Sequence, residues 1–399
     1  MADNKDKKVL NVPALRFPEF TEEWEEHYLA EYLDFKNGLN PSANKFGSGI
    51  KFISVMDILN NDFITYDCIR TSVEITPEEQ VAFAVEKGDM LFQRSSETLE
   101  DVGRANVYMD DRPAVFGGFV IRGKKKAEYN PMFFRYLLAS PYARKKVIPM
   151  GAGAQHFNIG QDGLSKVKLH FPILQEQQKI ADLLRLINER ISTQNKIIEK
   201  LETLIKGIVE LAFSHAATSN TLGCYITQIS QRNKTGKDLP VLSVSNKHGF
   251  VEQSEQFEDR IIASDDTSNY KIVDINDFAY NPARINVGSI ARLKDKECGI
   301  VSPMYICFRT SKDILPEYLE LFFKTVTFSF EVGKRLEGSV RLCLSYESLC
   351  EIVIPIISIR EQQSLVKMVT TFHSKLDVEK GFLSSYQSQK QCLLSQMFI

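Results

Sequence analysis

Histidine and tryptophan are scarce in this 399-residue chain, cysteines never pair closely in sequence, and long apolar runs are missing. No stretch of 18 or more apolar residues occurs, so no segment reads as a membrane-spanning helix. Met1 to Lys8 are polar and charged with no apolar core behind them, so no secretory signal is expected. The seven cysteines (Cys68, Cys224, Cys298, Cys307, Cys343, Cys350 and Cys392) form no C-x-x-C pair. Neither a disulfide framework nor a zinc site is supported, and a reducing, cytoplasmic setting is expected. The six histidines (His27, His156, His170, His215, His248 and His373) show no paired-ligand spacing, so no metal site is expected. A Walker A pattern is missing, which argues against a P-loop ATPase. Asn281-Pro282-Ala283-Arg284 is the nearest approach to an amino-methyltransferase Asn/Asp-Pro-Pro-aromatic motif, and it lacks the second proline and the aromatic. Ser42-Ala-Asn-Lys45 and Lys234-Thr-Gly236 fit two elements of penicillin-binding enzymes, but the Ser-Asp-Asn element is missing. The expectation is a chain without catalytic residues of its own.

A basic surplus is also missing. Formal net charge is −2, with 43% hydrophobic and 25% charged residues, ordinary for a chain of two or three globular domains. The charge is unevenly distributed. Residues 135–168 hold six basic side chains (Arg135, Arg144, Lys145, Lys146, Lys166 and Lys168) against one acid, Asp162, whereas residues 320–353 hold four basic and five acidic ones.

What is present is a repeat. Gly153-Ala-Gln-His-Phe-Asn-Ile precedes Phe171-Pro172-Ile173, and Gly338-Ser-Val-Arg-Leu-Cys-Leu precedes Ile354-Pro355-Ile356. The positions of the two glycines differ by 185. The same offset separates Pro131 from Pro316, Glu176-Gln-Gln from Glu361-Gln-Gln, and Val102-Gly103 from Val287-Gly288. Lys87-Gly-Asp89-Met-Leu-Phe92 matches Ile275-Asn-Asp277-Phe-Ala-Tyr280 at 188, a small loop difference. Several matches at one offset define an internal duplication.

Each repeat ends in a heptad seam. Ile180, Leu184, Ile187, Ile191, Gln194, Ile198, Leu201, Ile205, Ile208 and Ala212 alternate gaps of four and three. The matching positions are Leu365, Val369, Phe372, Leu376, Glu379, Leu383, Tyr386, Lys390, Leu393 and Met397. About 35 residues at ~1.5 Å each make a rod of roughly 50 Å. Both seams are polar at the fifth layer, Gln194 and Glu379, which would share a level in an antiparallel pair and fix its register. The pattern predicts two long helices packing as an antiparallel coiled coil.

The globular halves read as mixed α/β. Strands are expected at Ile50 to Val55, Val81 to Val85, Met90 to Gln93, Val115 to Arg122, Val241 to Val244 and Gly299 to Arg309. Phe46–Gly49 reads as a turn, and helices are expected over Pro131 to Leu138 and Pro316 to Lys324.

Leu15-Arg-Phe-Pro-Glu-Phe with Glu23-Trp24-Glu25, the glycine loops, the Pro-Ile strand ends and the Glu-Gln-Gln helix entries resemble type I restriction-modification specificity (S) subunits over essentially the whole chain. The resemblance implies two target recognition domains, 1–173 and 215–357, followed by spacer helices at 174–214 and 358–399. Each domain would read one half of a bipartite, asymmetric site in double-stranded DNA. Two modification subunits would bring S-adenosylmethionine for adenine methylation, and restriction subunits would bring ATP and Mg for translocation and cleavage. This chain would bind none of these cofactors. The charged heptad flanks Arg185, Glu189, Arg190, Lys196, Glu199 and Lys200 are candidates for subunit docking. A rival reading makes the rod an adapter bridging two proteins without touching DNA; polar glycine-rich loops at matching places in both halves argue for the DNA reader.

Reading bases calls for Arg or Lys at guanine and Asn or Gln at adenine, with hydroxyls and amides on phosphates. Loops supply such groups. The candidates are Arg94, Ser95, Ser96, Arg104, Gln155, His156 and Asn158 in the first half. In the second they are Asn281, Arg284, Asn286, Ser289, Arg292, Arg335, Ser339 and Arg341.

Overall fold

A computed structural model describes residues 10–214, 218–246, 248–253, 267–338 and 341–399. The chain divides into two compact units, Met1–Asn195 with Gly381–Ile399, and Lys196–Lys380.

The strands of the first unit are β1 Glu25–Tyr28, β2 Leu33–Asn37, β3 Phe46–Ile53, β4 Ser72–Val73, β5 Met90–Gln93, β6 Ser95–Ser96, β7 Ala105–Val107, β8 Val115–Phe116, β9 Val120–Lys125, β10 Phe157–Asn158 and β11 Lys168–Phe171. They form a four-stranded antiparallel sheet in the order β2-β9-β5-β7 and a three-stranded sheet β4-β3-β8, in which β3 and β8 run parallel. The helices are α1 Leu29–Tyr32, α2 Val55–Asn60, α3 Pro77–Ala82, α4 Pro131–Ala139, α5 Pro141–Val147, α6 Gln161–Ser165 and α7 Leu174–Ser214, the last running on into the second unit.

In the second unit the strands are β12 Thr218–Thr221, β13 Ile226–Ile229, β14 Val241–Ser245, β15 Gly249–Glu252, β16 Lys271–Asp274, β17 Phe278–Tyr280, β18 Ile290–Arg292, β19 Cys298–Val301, β20 Ile306–Thr310 and β21 Val353–Ile356. The sheet β13-β20-β17-β18 repeats the order of its counterpart, and a second sheet β15-β14-β19-β16 again holds one parallel pair, β14 with β19. The helices α8 Pro316–Phe322, α9 Val326–Arg335 and α10 Tyr346–Cys350 begin at the repeat offset from α4, α5 and α6. Helix α11, Ile359–Gln396, closes the repeat.

The repeat is written in side chains as well as backbone. Gln177 on α7 accepts a hydrogen bond from the Asn130 amide (3.0 Å) and donates to the Pro172 carbonyl (2.9 Å). Gln362 on α11 accepts from the Leu315 amide (2.8 Å) and donates to the Ile357 carbonyl (3.0 Å). Both glutamines are buried. The middle residue of each Glu-Gln-Gln run therefore ties a long helix to the start of the helix behind the main sheet and to the strand end before it.

The apolar seam of α7 is a buried stripe, whereas that of α11 is buried towards its ends and half-buried from Glu379 to Lys390. On α7, Ile180, Leu184, Ile187, Gln194, Ile198, Leu201 and Ile205 are buried, then the stripe moves to Val209 and Phe213. Ile208 and Ala212, the expected seam, are only half-buried. Phe213 is drawn aside by α8, stacking at 4.7 Å from Tyr318 and 5.3 Å from Phe322. Within the first unit, Ile180, Leu184 and Ile187 share a core with Leu393, Leu394, Met397 and Phe398 of the last turns of the chain. Trp24 sits in that core, edge-on to Phe133 and Phe398.

Three local expectations fail for identifiable reasons. Val81 belongs to helix α3, whose Thr76 cap accepts from the Glu79 amide and whose Pro77 occupies the first turn; local capping outweighs the β-branched run. Phe46–Gly49 lies inside β3, where the register slips between Phe46 and Ile50, rather than in a turn. The single strands expected over 115–122 and 299–309 are each two strands, broken by a turn at residues 117–119 and 302–305.

Candidate nucleic-acid interface

In both units the fold brings the two candidate loops together by the same device. The glycine-rich segment of the first unit is a hairpin closed by Ala152 and Asn158, which exchange both backbone hydrogen bonds at 2.9 Å. Glu337 and Cys343, their counterparts in the repeat, do the same at 3.0 and 2.8 Å. Gly153 (φ +150°) and Gly338 (φ +127°) sit at the bends, where a Cβ would collide with the carbonyls of His156 and Arg341 respectively. Only glycine fits such a site. Each hairpin is then tied to the second loop, the Ile159 amide donating to Arg94 (2.9 Å) and the Leu344 amide to Pro282 (3.1 Å).

In the first unit β6 pairs with β10, placing Ser95 opposite Asn158 and Ser96 opposite Phe157. Gln155, His156 and Asn158 are exposed. Arg94 is half-buried and held by donation from Nη1 to the Gly118 carbonyl (3.2 Å), and Ser96 is buried, its Oγ capping the Thr98 amide (3.2 Å). Arg104 is exposed and pairs with Asp101 at 2.6 Å. It lines a cleft of about 270 Å³ with Arg135 and Arg144 over an apolar floor that includes Ile58, Leu138 and Ile148. The Arg144 guanidinium is fixed by the Glu100 and Val102 carbonyls, and burial together with the Arg104 charge pushes its pKa down to about 10. Burial likewise lowers the pKa of Arg135, whose Nε donates to the Asp62 carbonyl and to Asn106.

In the second unit Arg284, Asn286 and Arg341 are exposed, and Ser339 lies outside the described residues. Four other candidates face inward. Asn281 is buried, its Oδ1 accepting from the Ala283 amide, and the Ser289 hydroxyl donates to the Val244 carbonyl. These two build the turn that displays Arg284 and Asn286. Arg292 is clamped by Glu317 and Glu320, and Arg335 by Glu331 one helical turn back. Their charges are already neutralised, so they do not stand open to a base edge. A cleft of about 560 Å³ occupies the place of the arginine cleft, with Glu320 standing at the repeat offset from Arg135. Lys294, Lys296 and Lys324 line it.

Residues that sequence reading passed over complete the setting: Arg135 and Arg144, counted only as surface charge, and the two clamping glutamines. Among the described residues no group of His, Cys, Asp and Glu is arranged to hold a metal, and no helix is long and apolar enough to cross a membrane.

A family model described as the type I restriction modification DNA specificity domain matches residues 21–203. The match covers a little under half of the chain. The chain is 26% identical over 251 residues to a protein of Methanocaldococcus jannaschii provisionally named as the type I restriction enzyme MjaX specificity subunit, covering 61% of the chain and 57% of that protein. It is 22% identical to the EcoKI specificity subunit of Escherichia coli, over 88% of the chain and 82% of that protein. Its fold matches the type I S subunit of M. genitalium with TM-score 0.56 at 17% identity, over 97% of this chain and 99% of that one. The chain thus spans little more than half of its archaeal relative and nearly all of the solved structure.

Proposed function

We propose that this chain reads a bipartite, asymmetric site in double-stranded DNA for a type I restriction-modification complex. Two target recognition domains, 1–173 and 215–357, each take one half-site through the paired loops described above. The spacer helices, 174–214 and 358–399, pack as an antiparallel coiled coil with Gln194 and Glu379 in its central layer. In support, early turns of α7 share a core with late turns of α11, Arg190 lies over Tyr386, and Glu202 pairs with Lys380 at 2.9 Å. Two modification subunits carrying S-adenosylmethionine dock on the helices and methylate adenine, and restriction subunits add ATP- and Mg-dependent cleavage, all in the cytoplasm.

The observation that carries this reading is the duplicated hairpin, Ala152–Asn158 and Glu337–Cys343. Its closing pair of backbone bonds and its bend glycine are kept while its sequence differs, Gln155 and His156 standing against Val340 and Arg341. Constant scaffold with changed side chains is what reading two different half-sites requires. Within this reading Gln155, His156, Asn158, Arg94 and Ser95 serve the first half-site, and Arg284, Asn286, Ser339 and Arg341 the second. Arg104 grips the backbone, while Ser96, Asn281, Ser289, Arg292 and Arg335 shape the loops.

The test is the adenine methylome of cells carrying the modification subunit with and without this chain. One interrupted, asymmetric motif methylated on both strands only when the chain is present is the expected outcome. An unchanged methylome, with the complex shown to assemble, would favour the adapter.

A further inference from the structure

The two unexpected turns, 117–119 and 302–305, occupy equivalent places in the duplicated fold. Each leads out of the sheet that holds the parallel pair, from β8 or β19, and into the antiparallel sheet, at β9 or β20. Each is closed by the same backbone bond, Val120 N to Gly117 O (2.8 Å) and Tyr305 N to Ser302 O (3.1 Å). Each carries one large apolar residue in the open, Phe119 at 68% exposure and Met304 at 57%. The four residues of the two turns have none in common: one reads Gly-Gly-Phe-Val and the other Ser-Pro-Met-Tyr.

A single exposed apolar side chain is ordinary. An exposed apolar residue at the same turn in both repeats, kept although all four turn residues differ, is a retained property of the site. Both turns are stiff. Gly117 and Gly118 pack so closely on Phe52 and Asn40 that a Cβ on either would collide, and Pro303 fixes φ just before Met304. Both also adjoin the candidate loops. The Arg94 amide donates to the Phe119 carbonyl (2.9 Å), and Ile306, two residues after Met304, pairs with Tyr280, the residue before Asn281.

We propose that Phe119 and Met304 are apolar wedges, one per domain, that press against the bases of the two half-sites. The proposal rests on the DNA-reading function above and adds a contact to it. Phe and Met are among the side chains that proteins insert against base steps, and an apolar tip also suits a thymine methyl. The polar neighbours Arg94, Ser95 and Asn158 in one domain, and Arg284 and Asn286 in the other, then supply directional bonds around a hydrophobic contact.

The experiment uses the chain assembled with its modification subunits. Phe119→Ser, Met304→Ser and the conservative Phe119→Leu and Met304→Leu are compared for binding to the methylated-motif duplex over a range of salt. Each serine variant is expected to bind about tenfold more weakly, with discrimination lost in one half-site only, a different half for each variant. The leucine variants should keep most of the affinity. The slope of log affinity against log salt should not change, because an apolar contact releases no counterions. Both positions are exposed, so thermal stability should stay as it is, which separates the effect from misfolding. Wild-type affinity in both serine variants would overturn the wedge while leaving the DNA-reading function intact. Loss of subunit assembly in those variants would overturn it in favour of a protein contact at the turns. A wild-type complex with no preferred duplex would bring down the reading itself, and the wedge with it.

Discussion

At the scale of single residues, the structure separates groups that look alike in sequence. Arg16 is paired with the buried Glu176 and Arg292 with the half-buried Glu317 and Glu320, whereas Arg284 and Arg341 stand in solvent. Glu176 is fully buried, and Arg16 holds it through two parallel bonds of 2.7 Å. Removing one partner of a buried pair leaves a charge with no compensation, at a cost of about 3–5 kcal/mol. Arg16→Ala should therefore lower the melting temperature by several degrees, and adding Glu176→Gln should recover much of the loss in the same thermal scan. The bend glycines are a second case. Gly153→Ala and Gly338→Ala each force a carbonyl to move, so each should blur one half of the methylated motif and spare the other. Sequence alone singled out these glycines because a polar, glycine-rich string recurs at a fixed offset. It did not separate Arg292 from Arg284, since the glutamates that neutralise Arg292 come from a helix that begins with Pro316, well downstream in the chain.

At the scale of elements, a duplicated chain offers an internal control. Gln177 and Gln362 make the same two bonds to positions that correspond across the repeat. Truncating either to alanine leaves a buried amide and a buried carbonyl unpaired, each costing about 1–3 kcal/mol. Gln177→Ala and Gln362→Ala should therefore produce similar losses in denaturant unfolding. Glutamate at either place keeps the acceptor but turns a buried, uncompensated carboxylate oxygen onto the carbonyl, and should cost more than the truncation. Long elements were legible in the sequence because periodicity accumulates over many residues. Both long helices, and the helices starting at Pro131 and Pro316, were foreseen at their N-terminal ends to within a residue or so. Short ones were not. Thr76 with Pro77 and Glu79 overrode the apparent strand at Val81, and the tight turns at 117–119 and 302–305 hide inside continuous β-branched and aromatic runs. The late drift of the α7 stripe onto Val209 and Phe213 depends on rings of α8, which no heptad count can see.

At the scale of the whole molecule, charge decides how DNA would be held by the proposed reader. With a net charge of −2 the free chain has little to gain from releasing counterions. Alone, at physiological salt, it should bind its motif no more tightly than the non-specific range of about 10⁻⁴–10⁻⁶ M. The assembled complex should reach the roughly 10⁻⁸–10⁻¹¹ M expected of specific readers, and fluorescence anisotropy on both would decide the point. The positive charge is not shared evenly, since Arg104, Arg135 and Arg144 converge in the first unit where the second has Glu320. Arg104→Gln should then lower the salt slope of the complex by about 0.9, one phosphate contact. Lys324→Gln, in the counterpart cleft where Glu320 already offsets charge, should change it less.

The core around Trp24 also sets a timetable. Leu393, Met397 and Phe398 complete it, and the Leu15 amide is bonded to the Gln396 carbonyl, so the first unit is finished with residues made after the whole second unit. At roughly 5–20 residues per second, the ribosome leaves that core open for on the order of ten to forty seconds. A nascent chain stalled anywhere in that interval presents Trp24 and Phe133 uncovered to the chaperones and proteases around it.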